Sequence, residues 1–189
     1  MSLLERGMQP TDTPSEARSL RTYLTVGQLA AVLAAGIHAA VVPEHLQESL
    51  LIGGFFVVVA IGQFGLAAVL RRRPPLLLVV GAIWAHVGLI ALYVASRTVD
   101  LPFLPANHHG ASSIQHLPVA GGHGNGIPAY PGARIEPVAM PDLICLGAEL
   151  VLIGALLGLV PARLRSRTTT ALMVVGVLAV LARAVGLTG

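Results

Sequence analysis

Seven histidines, one cysteine and nine acidic residues are the groups in this 189-residue chain that could bind a metal or move a proton. Four of the histidines, His108, His109, His116 and His123, crowd into the stretch NHHGASSIQHLPVAGGHG, the last three at intervals of seven. Imidazole suits Cu(II), Zn(II) and Ni(II). The spacing, however, lacks the short paired intervals and cysteine partners of a closed zinc finger. Glycine and proline surround these residues, and ordering such a segment around an ion costs conformational entropy. The stretch reads first as a soluble spacer and second as a place where ions are buffered or delivered.

A second set of groups is sparser and better placed. Asp142, Cys145 and Glu149 are separated by three and then four residues, which puts them on one face of a helix. Pro43-Glu44-His45 followed by Glu48 reads as the first turn of a helix with proline at its first position, so His45 and Glu48 share a face. Together with His38 these residues form a metal or proton site of imidazole, thiol and carboxylate. His86, beside Trp84, is a further ligand or a histidine hydrogen-bonded between helices. Glu149 also has a competing partner: Arg183 differs from it by only about 4–5 Å in height at 1.5 Å per residue, which allows a structural ion pair. The candidate ligands are thus His38, His45, Glu48, His86, Cys145 and Glu149, with the four loop histidines beside them.

The elements that must carry these groups are membrane helices. The chain is 54% hydrophobic and 11% charged, with a mean hydropathy of +0.77; a soluble domain carries about a quarter charged residues. Apolar residues arrive as long charge-free blocks, of which LLLVVGAIWAHVGLIALYVAS at 76–96 is the clearest. About 20 such residues cross roughly 30 Å of hydrocarbon as a helix. Five spans follow: Thr22–Val42, Leu50–Leu70, Leu76–Ser96, Leu143–Val160 and Thr169–Leu187. The blocks are continuous rather than alternating, so the expected fold is an all-α integral membrane protein, a five-helix transmembrane bundle, and not a barrel. Residues 1–21 form a polar N-terminal tail without the basic start and short apolar core of a secretory peptide. Residues 97–141 form one long loop with seven prolines and six glycines.

Orientation rests on arginine, since the chain has no lysine. Arg6, Arg18, Arg21, Arg71, Arg72, Arg73, Arg163, Arg165 and Arg167 fall on one side; Arg97, Arg134 and Arg183 fall toward the other. Positive residues near short loops favour the cytoplasm. The N-terminus is therefore expected inside and the C-terminus outside, which leaves every histidine at the midplane or on the outer half. The net charge of +3 and pI of about 9.8 reflect these lipid-facing anchors, and no nucleic-acid partner is expected. Counted from the outer ends at about 1.5 Å per residue, His38 lies about 6 Å deep, Glu149 about 10 Å and His86 about 15 Å, with Gln63 deeper again. Ionisable groups at such depth are costly and usually face the bundle interior. His38 and His86 stand on different spans, as a bis-histidine haem b requires, but a depth difference of about 9 Å disfavours a shared iron.

Gly154 and Gly158 form a G-x-x-x-G pattern that lets helices approach closely. No Walker loop, nucleophile elbow, H-E-x-x-H pair or dinucleotide fingerprint occurs, and no catalytic residue is assigned. Pro43-Glu44-His45 with Glu48, Gly54-Phe55-Phe56 and Gln63, Ser96-Arg97-Thr98 with Leu101-Pro102 and Pro105, then Glu136-Pro137, Asp142 and Glu149 resemble a family of small multi-span bacterial membrane proteins with no assigned activity. The resemblance covers roughly residues 34–150 and implies a bacterial plasma-membrane location. The interval between Pro105 and Glu136 is longer and richer in histidine than that pattern. The expectation is a non-enzymatic membrane protein with an outward-facing polar site for copper or zinc. Its rivals are an accessory subunit of a larger membrane complex or homo-oligomer and, more distantly, a proton-coupled carrier using Glu149 and His86 or a haem protein.

Overall fold

The computed structural model describes residues 14–96 and 138–184, without the side chains of Glu48 and of residues 180–184. These residues form five helices and no strand: α1 (Pro14–Glu48), α2 (Leu50–Val69), α3 (Leu76–Ser96), α4 (Met140–Leu159) and α5 (Ala162–Ala184). The helices α1 to α4 are each long and apolar enough to cross a membrane. At 1.5 Å per residue the 20 or 21 residues of α2, α3 and α4 match roughly 30 Å of hydrocarbon. The expected fifth span runs to Leu187, past the described residues, and α5 begins earlier, with Arg163, Arg165 and Arg167 in its first two turns. The loop bearing His108, His109, His116 and His123 also lies outside the described residues.

Two boundaries differ from expectation. Helix α1 starts at Pro14, eight residues ahead of Thr22, so the second part of the polar tail is helical. Proline is favoured in a first turn, where its missing N–H is no loss, and Glu16 complements the helix N-terminus. The segment Pro43–Glu48 does not open the second helix; it closes the first. Proline inside a helix removes one hydrogen bond, yet α1 continues past it, and the Ser49 amide still donates to the His45 carbonyl at 2.8 Å. The chain then reverses at Ser49 alone. Its backbone is extended (φ −159°, ψ 126°), its hydroxyl receives the Ile52 amide at 3.5 Å, and α2 begins at the next residue. So abrupt a corner presses α2 onto α1. A Cβ on Gly53 would lie 2.5 Å from Leu46 Cγ and 2.7 Å from Leu46 Cα, so only glycine fits.

Each of the four long apolar helices, α1 to α4, buries one stripe at helical spacing. In α1 it is Gly27, Ala30, Ala31, Ala34 and Ala35; in α2, Ala60, Gln63, Leu66, Ala67 and the following Leu70. In α3 the stripe is Val79, Ile83 and His86, and in α4 it is Cys145, Ala148, Glu149, Leu152, Ile153, Ala155 and Leu156. Steps of three and four keep such residues on one face. The α1 stripe is made of alanine and glycine, so the neighbouring helices reach its backbone closely. Its Ala30 and Ala31 join Leu66, Leu70, Ile83, Leu152 and Leu156 in the main apolar core. The expected glycine motif is used by half: Tyr23 of α1 lies where a Gly158 Cβ would be, at 2.5 Å, whereas Gly154 meets nothing within 4 Å.

These contacts also set the ends of the bundle. Tyr23 near the start of α1 meets Gly158 near the end of α4, and Gly27 faces Leu70 at the end of α2. The exposed arginines Arg18 and Arg21, Arg71–Arg73, and Arg163, Arg165 and Arg167 therefore gather at one end of the molecule.

Candidate metal centre

Above the apolar core the four stripes each carry one or two polar residues into the same layer: His38 from α1, Gln63 from α2, His86 from α3, Cys145 and Glu149 from α4. Gln63, His86 and Glu149 are buried polar groups at 3%, 4% and 4% exposure, and Cys145 is buried at 8%. Glu149 is the tenth of the twenty residues of α4 and His86 the eleventh of twenty-one in α3, so the layer sits near the middle of the spans rather than at their rim.

Gln63 is the hub. Its Oε1 accepts from His38 Nδ1 at 2.8 Å, and its Nε2 donates to Glu149 Oε1 at 3.2 Å and to His86 Nε2 at 3.4 Å. His86 in turn donates from Nδ1 to the Ala82 carbonyl one turn earlier, at 2.7 Å. His38 Nε2, on the far side of its ring, faces Cys145 Sγ at 3.7 Å. Buried polar groups without partners are expensive, and here the hydrogen bonds run continuously through four helices. The sequence marks Gln63 as a deep polar residue and as part of the resemblance pattern, but not as a member of the site. Its position on the Ala60-Gln63-Ala67-Leu70 stripe is the signal that could have placed it at the centre.

Within this layer His38, Cys145 and Glu149 could hold a metal ion: one ligand atom from each lies within 4.8 Å of the others. Cys145 and Glu149 are one turn apart on α4, and α1 supplies the imidazole opposite them. In a tetrahedral zinc site, bonds of about 2.0 Å to nitrogen and 2.3 Å to sulfur separate those two atoms by about 3.5 Å. The His38–Cys145 distance of 3.7 Å is already close to that. A hydrogen bond to the other ring nitrogen is the usual way a ligating histidine is oriented, and Gln63 provides it.

Among the described residues, His45, His86 and Asp142 have other partners. His45 stacks on Phe56 of α2, ring centroids 4.4 Å apart and 10° from parallel, and Phe56 also lies 5.7 Å from the His38 ring. His86 sits in the polar layer but its two nitrogens face Gln63 and Ala82. The Gln63 amide stands between His38 and His86, where a haem iron would have to reach both. Asp142, three residues before Cys145 on α4, receives the Ala139 amide at 2.9 Å and closes the first turn of the helix. The Glu48 and Arg183 side chains fall outside the described residues, so the Glu149–Arg183 pair does too.

No family model matches the chain, and no curated protein or solved structure is similar to it.

Proposed function

We propose that this chain is an integral plasma-membrane protein whose helical bundle binds a transition-metal ion at His38, Cys145 and Glu149. The observation that carries the reading is the convergence of imidazole, thiol and carboxylate within 4.8 Å at mid-bundle. In a polypeptide with one cysteine, and with ionisable groups costly at that depth, such a meeting calls for a ligand. The mixed nitrogen, sulfur and oxygen set fits Zn(II) best. Cu(I) favours soft thiolate and imidazole, so the carboxylate adds little to it. Three protein ligands leave a fourth position for water or an exchanging group, the pattern of working rather than purely structural zinc sites. The gathered arginines, set against anionic lipid, put their end of the bundle in the cytoplasm. The histidine-bearing loop then lies outside, where it gathers ions.

A second reading is favoured by one observation: the Gln63 hydrogen bonds satisfy the layer without any ion. In that case the layer is a polar lock that fixes helix register in an accessory subunit or oligomer. Cobalt binding separates the two. Purified protein titrated with Co(II) should develop tetrahedral visible bands and a near-ultraviolet thiolate band, the latter lost in Cys145→Ser. A featureless titration would favour the lock.

A further inference from the structure

The hydrogen bonds around Gln63 have a direction, and the direction starts at a group that cannot change. The Ala82 carbonyl only accepts, so His86 Nδ1, 2.7 Å away, must carry a proton. A neutral imidazole that donates at one nitrogen accepts at the other. His86 Nε2 therefore requires a donor, and the Gln63 amide must turn its NH₂ end toward it, at 3.4 Å. The second amide proton goes to Glu149 Oε1 at 3.2 Å, which demands the same orientation. With NH₂ facing α3 and α4, the Gln63 carbonyl faces α1 and accepts from His38 Nδ1 at 2.8 Å. His38 must then be protonated at Nδ1 and bare at Nε2, the nitrogen that faces Cys145 Sγ.

We infer that His86 and Gln63 are positioning residues: together they set the tautomer of His38 so that its lone pair points at the metal-binding position before any ion arrives. Neither has to touch the metal. A carbonyl of α3 fixes a proton on α3, that fixes an amide on α2, and the amide fixes a lone pair on α1. Glu149 locks the amide from α4, so a ligand and the relay share one group. The inference rests on the metal reading for its purpose, but the tautomer itself is a property of the metal-free protein.

Long-range proton–nitrogen NMR of full-length, metal-free protein labelled at histidine nitrogen reads it directly. His38 should be protonated at Nδ1 and bare at Nε2, and His86 likewise. Gln63→Leu removes the side-chain acceptor and leaves only the Ala34 carbonyl, one turn back on α1, against the His38 ring; His38 should shift toward the Nε2–H form, and Zn(II) affinity should fall about 10–100-fold, the usual effect of losing a partner behind a ligand. Gln63→Glu keeps an acceptor for His38 and should keep its tautomer, which guards against a Gln63→Leu protein that fails to fold. His86→Gln, whose own carbonyl can take the amide proton, should preserve the His38 signature better than His86→Leu. An Nε2–H tautomer in the wild-type protein overturns the relay, as does an unchanged His38 tautomer in Gln63→Leu. The expected tautomer in a protein that binds no metal at any concentration supports the relay and removes the metal reading.

Discussion

Cys145 and Glu149 are the residues at which the proposed metal site can be taken apart chemically. If the ion is Zn(II), Glu149→Gln removes a ligand, and affinity should drop by more than the 10–100-fold typical of an outer partner. If the ion is Cu(I), the same change should matter little, because His38 and Cys145 remain. Competition titrations of both metals on Glu149→Gln and on wild type give the answer in one pair of curves. The three clustered residues are prominent in the sequence, because a histidine, a cysteine and a glutamate inside apolar blocks have few reasons to be there. Their selection from a larger pool is not legible there. His45, in the last turn of α1, stacks on Phe56, whereas His86, midway along α3, meets Gln63; position along the bundle and the azimuth of each helix together decide which histidine enters the layer. Azimuth is set by packing between helices, which a single sequence does not display.

The helices themselves were easier to read than their junctions. Leu76–Ser96 follows from apolar length alone. A proline followed by acidic residues resembles a helix start, so the sequence points to Pro43 rather than Leu50 as the opening of the second helix. The deciding features were Ser49, a good capping residue with an extended backbone, and Gly53, which lets α2 lie against Leu46. The close approach at this corner is testable as stability. Gly53→Ala should cost about 1–3 kcal/mol, the range for overpacking a tight contact, and lower the apparent Tm in detergent. Gly54→Ala, with nothing within 4 Å of the added methyl, should leave it unchanged or slightly raised. Equal losses at the two positions would mean that the corner is not tight.

At the scale of the whole molecule, the arginine-rich end and the mid-bundle polar layer define a sided object. A reporter active only outside the cytoplasm should be silent after Arg73 and active within the 107–124 stretch; the reverse pattern would turn the molecule over and detach the histidine loop from its proposed supply role. The gathering of arginines at one end is legible because it follows from their spacing along the chain, whereas the membership of the polar layer needs all four helices in place. The central claim meets its most direct test in the zinc content of the purified protein after equilibration with zinc and removal of excess. The wild-type chain should retain one ion, and the combined His38→Ala, Cys145→Ser, Glu149→Gln variant none while its helical circular dichroism is unchanged. Zinc-free wild type, or equal zinc in both proteins, would contradict the account.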